Sequence, residues 1–424
     1  MQEEVALLRR HIAETCHRML HEPTDIVPYP FLVPGSVYAH MLWDWDSWLC
    51  SVALLQALQE PGVSVTRAKL LEHMKGCVRN YLHYQAPDGY MPISIDSWLM
   101  RAGDEMRQKG DEINQCKPVL AQFAALITRE EGDAGWIREG FAGLQRFHQH
   151  YDDAYRHAAT GLYYWHSDLA IGVDNEPAVF GRPRNSCAAI FMNALMVREL
   201  EAGAYLAQCL GLECERAAYI TKRDTLAAAI RRYMWDERDG FYYNVDLQCK
   251  IDPVIPGLHV NQTFMWPCLP VRIQGWTGFM ALWAGIATPA QAQRIVQEHL
   301  LNPAAFASLG GVRSLAANEP MYNLDATGNP SNWLGGIWLI ANYMTYRGLR
   351  TYGYQAEAAD LYHKTVNLLA RDVATCGAMH EYYVPETGEP IVNQGFMNWN
   401  YLVLNMMAEM EGDRTPVSEW QPEG

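Results

Sequence analysis

A chain of 424 residues with 49% apolar content can bury a large core, while a formal net charge of −15 repels phosphate backbones and anionic headgroups, so nucleic acid and membrane partners are not expected. No apolar run reaches the roughly 18 residues of a membrane span, and the N-terminal MQEEVALLRRHIAETCHRML lacks the cationic start and apolar core of a signal peptide. The ten cysteines are scattered without C-x-x-C spacing, which predicts buried reduced thiols in the cytoplasm and neither a disulfide frame nor a zinc site.

Length alone predicts two or three domains. No Ser/Gly tract, Pro-rich run or block of like charge separates them, so a single domain over residues 1–424 is the expectation. Helical periodicity dominates from the start. Val5, Leu8, Ile12, Cys16 and Met19 keep the i, i+3, i+4 rhythm of one buried face. The run WDWDS, Trp43 to Ser47, follows. Desolvating its carboxylates costs several kcal/mol unless they are paired or bonded, so it is a structural clamp or the floor of a site that handles hydroxyl groups.

Further along, Ser186 is placed to cap a helix running to about Leu210, with Gly211 just past its end, and a second helix continues to about Met234. Trp333, Ile337, Ile340 and Met344 fall on one stripe of a nearly uncharged segment. The next segment, Gln355 to Ala370, is amphipathic, with Glu357, Asp360 and Lys364 outward. An inner and an outer ring of helices would need that alternation. Asp-Gly or Thr-Gly turns recur at Gly89, Gly161, Gly240, Gly328 and Gly388, several beside aromatics, as in hairpins. One such loop per helical pair predicts an all-α (α/α)6 barrel with short β-hairpin insertions.

The aromatic residues are 14 Trp and 23 Tyr against 11 Phe. Such an excess fits surfaces that need an apolar face and a polar tip, as sugar clefts do, or a large core that happens to use Trp. Two further carboxylates stand on non-helical stretches: Asp174 in LAIGVDNEPAV and Glu381 in MHEYYVPETGE. A glycosidase needs one protonated carboxyl to donate to the leaving oxygen and one ionised carboxylate to activate water or attack the sugar. The alternative for each is a loop carboxylate capping a turn. His17 and His21, and His148 and His150 ahead of Asp152 and Asp153, read as solvated helix faces. Neither a metal nor another cofactor is therefore expected, and no G-x-S-x-G elbow occurs to support a Ser-His-Asp nucleophile.

WDWDS, GVDNEP, WAGIATPAQAQRIVQEHL, WLGGIWLIANYMTYRGLRTYG and EYYVPETGE occur in that order, and together the chain resembles the (α/α)6 catalytic domain of glycoside hydrolase family 63 from about Tyr29 to Met407. The bacterial mannosylglycerate and glucosylglycerate hydrolases belong to this group, and trehalases share the architecture. The resemblance implies Asp174 as general acid and Glu381 as general base of an inverting mechanism. It implies that Trp43, Asp44 and Asp46 lie at the sugar-binding end of the barrel, with Tyr38, Tyr90, Trp333 and Trp338 lining the same pocket. Trp45 and Trp48 would pack behind it.

The chain departs from the family pattern in several places. Asn332, Leu334 and Gly336 stand where Tyr, Arg and Pro are usual, Leu169 to Ile171 replace a Trp- and Ser-containing approach, Lys117 replaces Gln, and Arg313 is new. Lys117, taken as substrate-binding, joins Arg182, Arg184 and Arg313 as the cations placed to reach substrate. Two of them converging would explain an anionic aglycone such as glycerate.

The leading expectation is therefore an inverting α-glycosidase for a small α-glucoside or α-mannoside, with a small carbohydrate as its partner. A trehalase-like disaccharide hydrolase is one alternative. Another is a sugar epimerase or unsaturated-glycoside hydrolase, in which His40 and His380 would be essential. A third is a non-catalytic sugar-binding protein.

Overall fold

The computed structural model describes residues 1–112, 115–167, 172–249, 266–325 and 330–421. The first eight helices are α1 (Gln2–Thr15), α2 (Asp44–Ala57), α3 (Arg67–His83), α4 (Ser97–Gln108), α5 (Leu120–Glu131), α6 (Phe141–Ala154), α7 (Ile190–Leu210) and α8 (Glu213–Tyr233). They are followed by α9 (Met280–Trp283), α10 (Pro289–Arg294, continued by a π-turn), α11 (Leu339–Thr351), α12 (Gln355–Cys376) and α13 (Val403–Glu411).

Two burial regimes alternate along this series. Every residue of α2 is buried, as are Leu120–Thr128 of α5, most of α7, the run from Trp276 through α9, Leu339–Leu349 of α11, and Asn398–Leu402 with the start of α13. A helix apolar all round must be surrounded by protein. These segments surround one another: α2 meets α5, α5 meets α7, α7 meets α9, and α9 meets α11. The 398–402 turn and α13 then close the ring back to α2. The intervening helices bury a single stripe, such as Val5, Leu8 and Ile12 of α1 or Leu361, Thr365, Leu368 and Leu369 of α12. Among the described residues this makes six inner segments and six outer helices, the (α/α)6 barrel expected from the periodicity. α4 is an extra helix outside that scheme, with only Gly103 buried.

Two local expectations are corrected. Ser186 does not cap α7, because Cys187–Ala188 form a strand paired with Val245–Asp246. The Ile190 N–H is instead taken by Asn244 Oδ1 at 2.9 Å. Gly211 does end α7 in the left-handed conformation (φ 76°) that a glycine adopts without strain. Trp333 and Ile337 precede α11, since Ile337–Trp338 pair as a strand with Tyr382–Tyr383. Of the recurrent turns, Gly161, Gly240 and Gly388 sit between bridged segments. Gly89 lies in a turn without strands, and Gly328 lies outside the described residues. No helix among the described residues is long and apolar enough to cross a membrane, and all ten cysteines are free thiols.

Residues 415–421 fasten the inner ring. Gln56 of α2 accepts from the Val417 N–H at 2.7 Å, and Arg129 of α5 donates to Ser418 O at 2.8 Å. Arg198 of α7 donates to Trp420 O at 3.1 Å, and Asn405 of α13 to Val417 O at 2.7 Å. Glu419, fully buried, accepts from Trp283 Nε1 of α9 (3.1 Å) and from Tyr343 Oη (2.7 Å) and Arg347 Nε (3.2 Å) of α11. Burial alone would raise the Glu419 carboxyl, but Arg347, the Tyr343 hydroxyl and Arg198 outweigh it and bring it down to about 2. A depressed carboxyl stabilises the fold above its unfolded value and loses that contribution as pH falls from about 4.5 towards about 2. Glu419→Ala leaves Arg347 with Glu409 alone and strips the buried Tyr343 hydroxyl and Trp283 indole N–H of their acceptor, and is expected to cost about 2–4 kcal/mol at neutral pH. Urea unfolding measures this, and a loss below about 1 kcal/mol would contradict the role given to the tail.

Candidate active site

The inner helices present their N-terminal ends to one pocket. A two-residue strand, Leu42–Trp43, pairs with Ser94–Ile95 and hands the chain directly to α2, so Asp44 and Asp46 fall in its first turn. Lys117 lies just ahead of α5, Trp333 and Trp338 just ahead of α11, and Phe396 and Trp399 at the start of the 398–402 turn. With Tyr38, Trp43, Trp45, Gly172, Asp174, Ser331 and Glu381 these residues, Asp44 excepted, line one small pocket. A larger open groove of about 1440 Å³ lies elsewhere, lined by Asp88, Arg107, Glu112, His150, Tyr155 and His166. Arg107 and His150 there bond to Glu112 at 2.8 and 3.1 Å. That groove has neither the acid pair nor the tryptophans.

Glu381 is 3% exposed. One oxygen accepts from the Tyr38 hydroxyl at 3.4 Å and the other from the Asn393 amide. Asn393 holds φ at 56°, an uncommon conformation for a residue with a side chain, and so aims its amide at the carboxylate. The two donors are locked to each other, because Ser36 Oγ donates to Gln394 O at 3.0 Å and Gly35 bridges Phe396. Burial pushes the Glu381 carboxyl up to about 7. Asn393 and Tyr38 pull it down, and the nearby Asp174 charge adds to the rise.

Asp174 is half-buried on a loop pinned on both sides. The Asn175 side chain accepts from the Trp333 N–H at 2.7 Å and donates to Asn332 Oδ1 at 3.0 Å. Glu176 accepts from Thr277 Oγ1 at 2.9 Å and Asn244 Nδ2 at 3.0 Å, and its carboxyl is raised by burial. Gly172 approaches Lys117 so closely that a Cβ there would lie 2.8 Å from Nζ, and its φ is +69°. A side chain there would strain the left-handed backbone and press on the Lys117 ammonium.

Asp44 and Asp46 have separate tasks. Asp44 is fully buried and spent on structure: its oxygens accept from the Trp45 N–H (2.6 Å), the Lys117 N–H (2.7 Å) and Lys117 Nζ (3.0 Å). It therefore holds Lys117 and does not face the pocket. Asp46 faces it and accepts from Asn398 Nδ2. Burial drives its carboxyl up to about 8, against the pull of Lys117 and with help from Asp44 and Glu381. The aromatic wall is a stack: Trp333 on Trp338 at 3.7 Å and 6°, then Trp338 on Tyr382 at 4.6 Å and 12°. The indole N–H groups of Trp43, Trp333 and Trp399 are buried without an acceptor among the described residues, whereas that of Trp338 donates to Asn332 O at 3.1 Å.

Comparison with known proteins fits this geometry. The model of the mannosylglycerate hydrolase MGH1-like glycoside hydrolase domain matches residues 38–399. This chain belongs to that glycoside hydrolase family. A mannosylglycerate hydrolase of Thermus thermophilus is 27% identical over 170 residues, which is 39% of this chain and 33% of that protein. A probable trehalase of Saccharomyces cerevisiae is 27% identical over 414 residues, 84% of this chain and 49% of that protein. The chain thus matches less than half the length of these two curated relatives. The crystal structure of a family 63 mannosylglycerate hydrolase from Thermus thermophilus, in complex with Tris and D-glycerate, superposes with a TM-score of 0.69 at 20% identity. It covers 94% of this chain and 99% of that one, and it shares the fold.

Of the residues singled out in the sequence, the structure brings Tyr38, Trp43, Asp46, Lys117, Asp174, Trp333, Trp338 and Glu381 to one pocket. Tyr90 is not among its lining residues. It packs beneath the Arg107 guanidinium, 4.3 Å from the ring centre, and beside His150. Trp45 does line the pocket, while Trp48 is core. Arg182 pairs with Asp246, Arg184 with Asp111, and Arg313 with Glu386 and backbone carbonyls of the 303–307 loop, so these cations do not converge. His380 is turned to Asp372 (Nδ1–Oδ2 2.9 Å) and His40 to His21, and neither lines the pocket. His148 and His150 are buried against Glu199 and Glu112 and are not on a solvated face. Leu169 to Ile171 lie outside the described residues.

The sequence reading missed Asn393, Asn398 and Asn175. The asparagine-rich, uncharged NQGFMNWN after the Glu381 loop was the available signal for the first two.

A carboxyl raised by folding keeps its proton in the native state where the unfolded chain has lost it. Its stabilising contribution is complete below the unfolded value, about 4.5 for Glu381, and is lost as pH rises through about 7. Glu381→Gln is therefore expected to be more stable than the wild type by about 1–3 kcal/mol at pH near 8, and nearly isoenergetic with it near pH 5. Thermal unfolding at the two pH values decides. A stability difference that fails to grow with pH would refute the buried, charge-strained carboxylate.

Proposed function

We propose that this chain is an inverting α-glycosidase of small α-glucosides or α-mannosides, in which Asp174 protonates the departing oxygen and Glu381 activates the attacking water. The observation that carries this is that two carboxyls from distant segments meet in one aromatic-walled pocket, each fixed by its own amide-bearing neighbours. A base works best when its pKa lies near the working pH, and Glu381 at about 7 meets that condition. The nearby Asp174 charge adds to the hold of Glu381 on its proton. Asp46 and the unpartnered indole donors are suited to hydroxyl groups, and the Trp333–Trp338 stack to the C–H face of a pyranose. The reducing cytoplasm is the proposed setting, supported by ten free thiols.

The test is Asp174→Asn and Glu381→Gln on a panel of α-linked disaccharides and glycosylglycerates. Each is expected to lower kcat by roughly three orders of magnitude or more, of which general acid–base catalysis accounts for about 10²–10⁴. Near wild-type turnover in either variant would remove that residue from the mechanism. The wild-type kcat/KM is expected to rise with pH through about 7 as Glu381 ionises. Proton NMR of the first-formed product should show the β-anomer from an α-glycoside, and an α-product would rule out inversion.

A further inference from the structure

The charge balance of the pocket bears on the group that leaves. Three carboxyls border it: Asp46, Asp174 and Glu381. Lys117 is the cation among its described lining residues, and its ammonium is bound to Asp44 at 3.0 Å with both side chains fully buried. Asp44 already balances the Lys117 charge, so the ammonium brings no net positive charge to an anionic aglycone. The other three basic residues marked by the sequence are committed to carboxylates of their own: Arg182 to Asp246, Arg184 to Asp111 and Arg313 to Glu386. Arg313 is further held by Pro303 O at 3.2 Å. Among the described residues the donors still unspent at the pocket wall are neutral, the indole N–H groups of Trp43, Trp333 and Trp399. Such donors suit hydroxyl and ether oxygens, whereas a carboxylate there would find no uncommitted cation among the described residues and would face Glu381 in the ionised form the reaction requires.

From this balance we propose that the chain acts on uncharged α-glycosides, whose departing group is a neutral sugar or polyol, and discriminates against glycosides of carboxylic acids. The proposal rests on the glycosidase reading and narrows it. Of the two relatives named above, one carries the name of a glycerate-glycoside hydrolase and the other that of a hydrolase of a neutral disaccharide. The charge balance sets this chain beside the second.

The experiment uses the unmodified full chain and a matched pair of substrates, the α-glucoside of glycerol and the α-glucoside of glycerate, with the α-mannosides and trehalose alongside. The pair differs in a hydroxymethyl against a carboxylate. We expect kcat/KM at least about tenfold higher for the glycerol glycoside, a difference of about 1.4 kcal/mol. Raising the salt concentration should lift turnover of the glycerate glycoside and leave that of its neutral partner unchanged, because screening weakens only the repulsion. Equal or greater kcat/KM on the glycerate glycoside, or a glycerate rate that falls with salt, would overturn the proposal and leave the glycosidase reading standing. Hydrolysis of no member of the panel would instead overturn the glycosidase reading, and this inference with it.

Discussion

The barrel depends on how a ring of helices is closed at its far end. Six inner segments cannot hold one another by apolar contact alone at their ends, where backbone carbonyls and polar side chains need partners. The 415–421 segment supplies them by crossing the ring and bonding to all six: Gln56, Arg129, Arg198, Trp283, Tyr343 with Arg347, and Asn405. Placing Glu419 there sets a carboxylate among helices whose dipoles point their negative ends that way, which is unfavourable by itself. Arg347 and Arg198 reverse the balance, as the depressed Glu419 carboxyl records. The opposite end is then the one where N-terminal turns, with their unpaired N–H groups, are available to carry negative charge. Asp44 and Asp46 lie there in the first turn of α2, and Asp174 and Glu381 share the pocket with them.

At that end the two aspartates of WDWDS divide the work through geometry. Residues two apart on a helix point in different directions. Asp44 turns towards the segment leading into α5 and forms a buried ion pair with Lys117, while Asp46 turns to the pocket. A buried pair adds little net stability but is costly to break from one side. Its value here is to fix position: Lys117 meets Gly172, Gly172 leads to Asp174, and Asn175 fastens the same loop to Trp333. The acid loop, the aromatic wall and the floor are thereby held as one piece.

Much of this was legible in the sequence, because it is written in periodicity and order. The uncharged stretch of α11 followed by amphipathic α12 is inner and outer helix, and Gly211 ends α7 as expected. Asp174 and Glu381 could be picked out as acids on loops among aromatics, but capping a turn was an equal use for them, and their roles came only from the resemblance. What could not be read was the partner of each polar atom. Asp44 and Asp46 look alike in the string, yet one is consumed by Lys117. Tyr90 and the three arginines were misplaced for the same reason, since a cation's direction depends on which carboxylate the fold brings near. Asn393 escaped notice because asparagine is common in loops. Only its left-handed backbone and its bond to Glu381 distinguish it.

The same packing explains why Glu381 is strained. Tyr382, next to Glu381 in the chain, is the outer leaf of the Trp333–Trp338 stack, and its hydroxyl donates to Pro330 O at 2.8 Å. Its ring lies so near Gly336 that a Cβ there would sit 2.8 Å from it, so a proline at that position, as the resemblance expects, would displace the ring from the stack. Closing the stack helps to bury Glu381, and burial is the largest cause of its raised carboxyl. Asn393 and Tyr38 return part of the lost solvation without cancelling it. A carboxylate fully hydrated would be a weak base at neutral pH, and one fully desolvated would never ionise. Two hydrogen bonds against a tryptophan wall set it between those limits, and the stability forgone by charging it there is the kind of cost that active sites carry and cores do not.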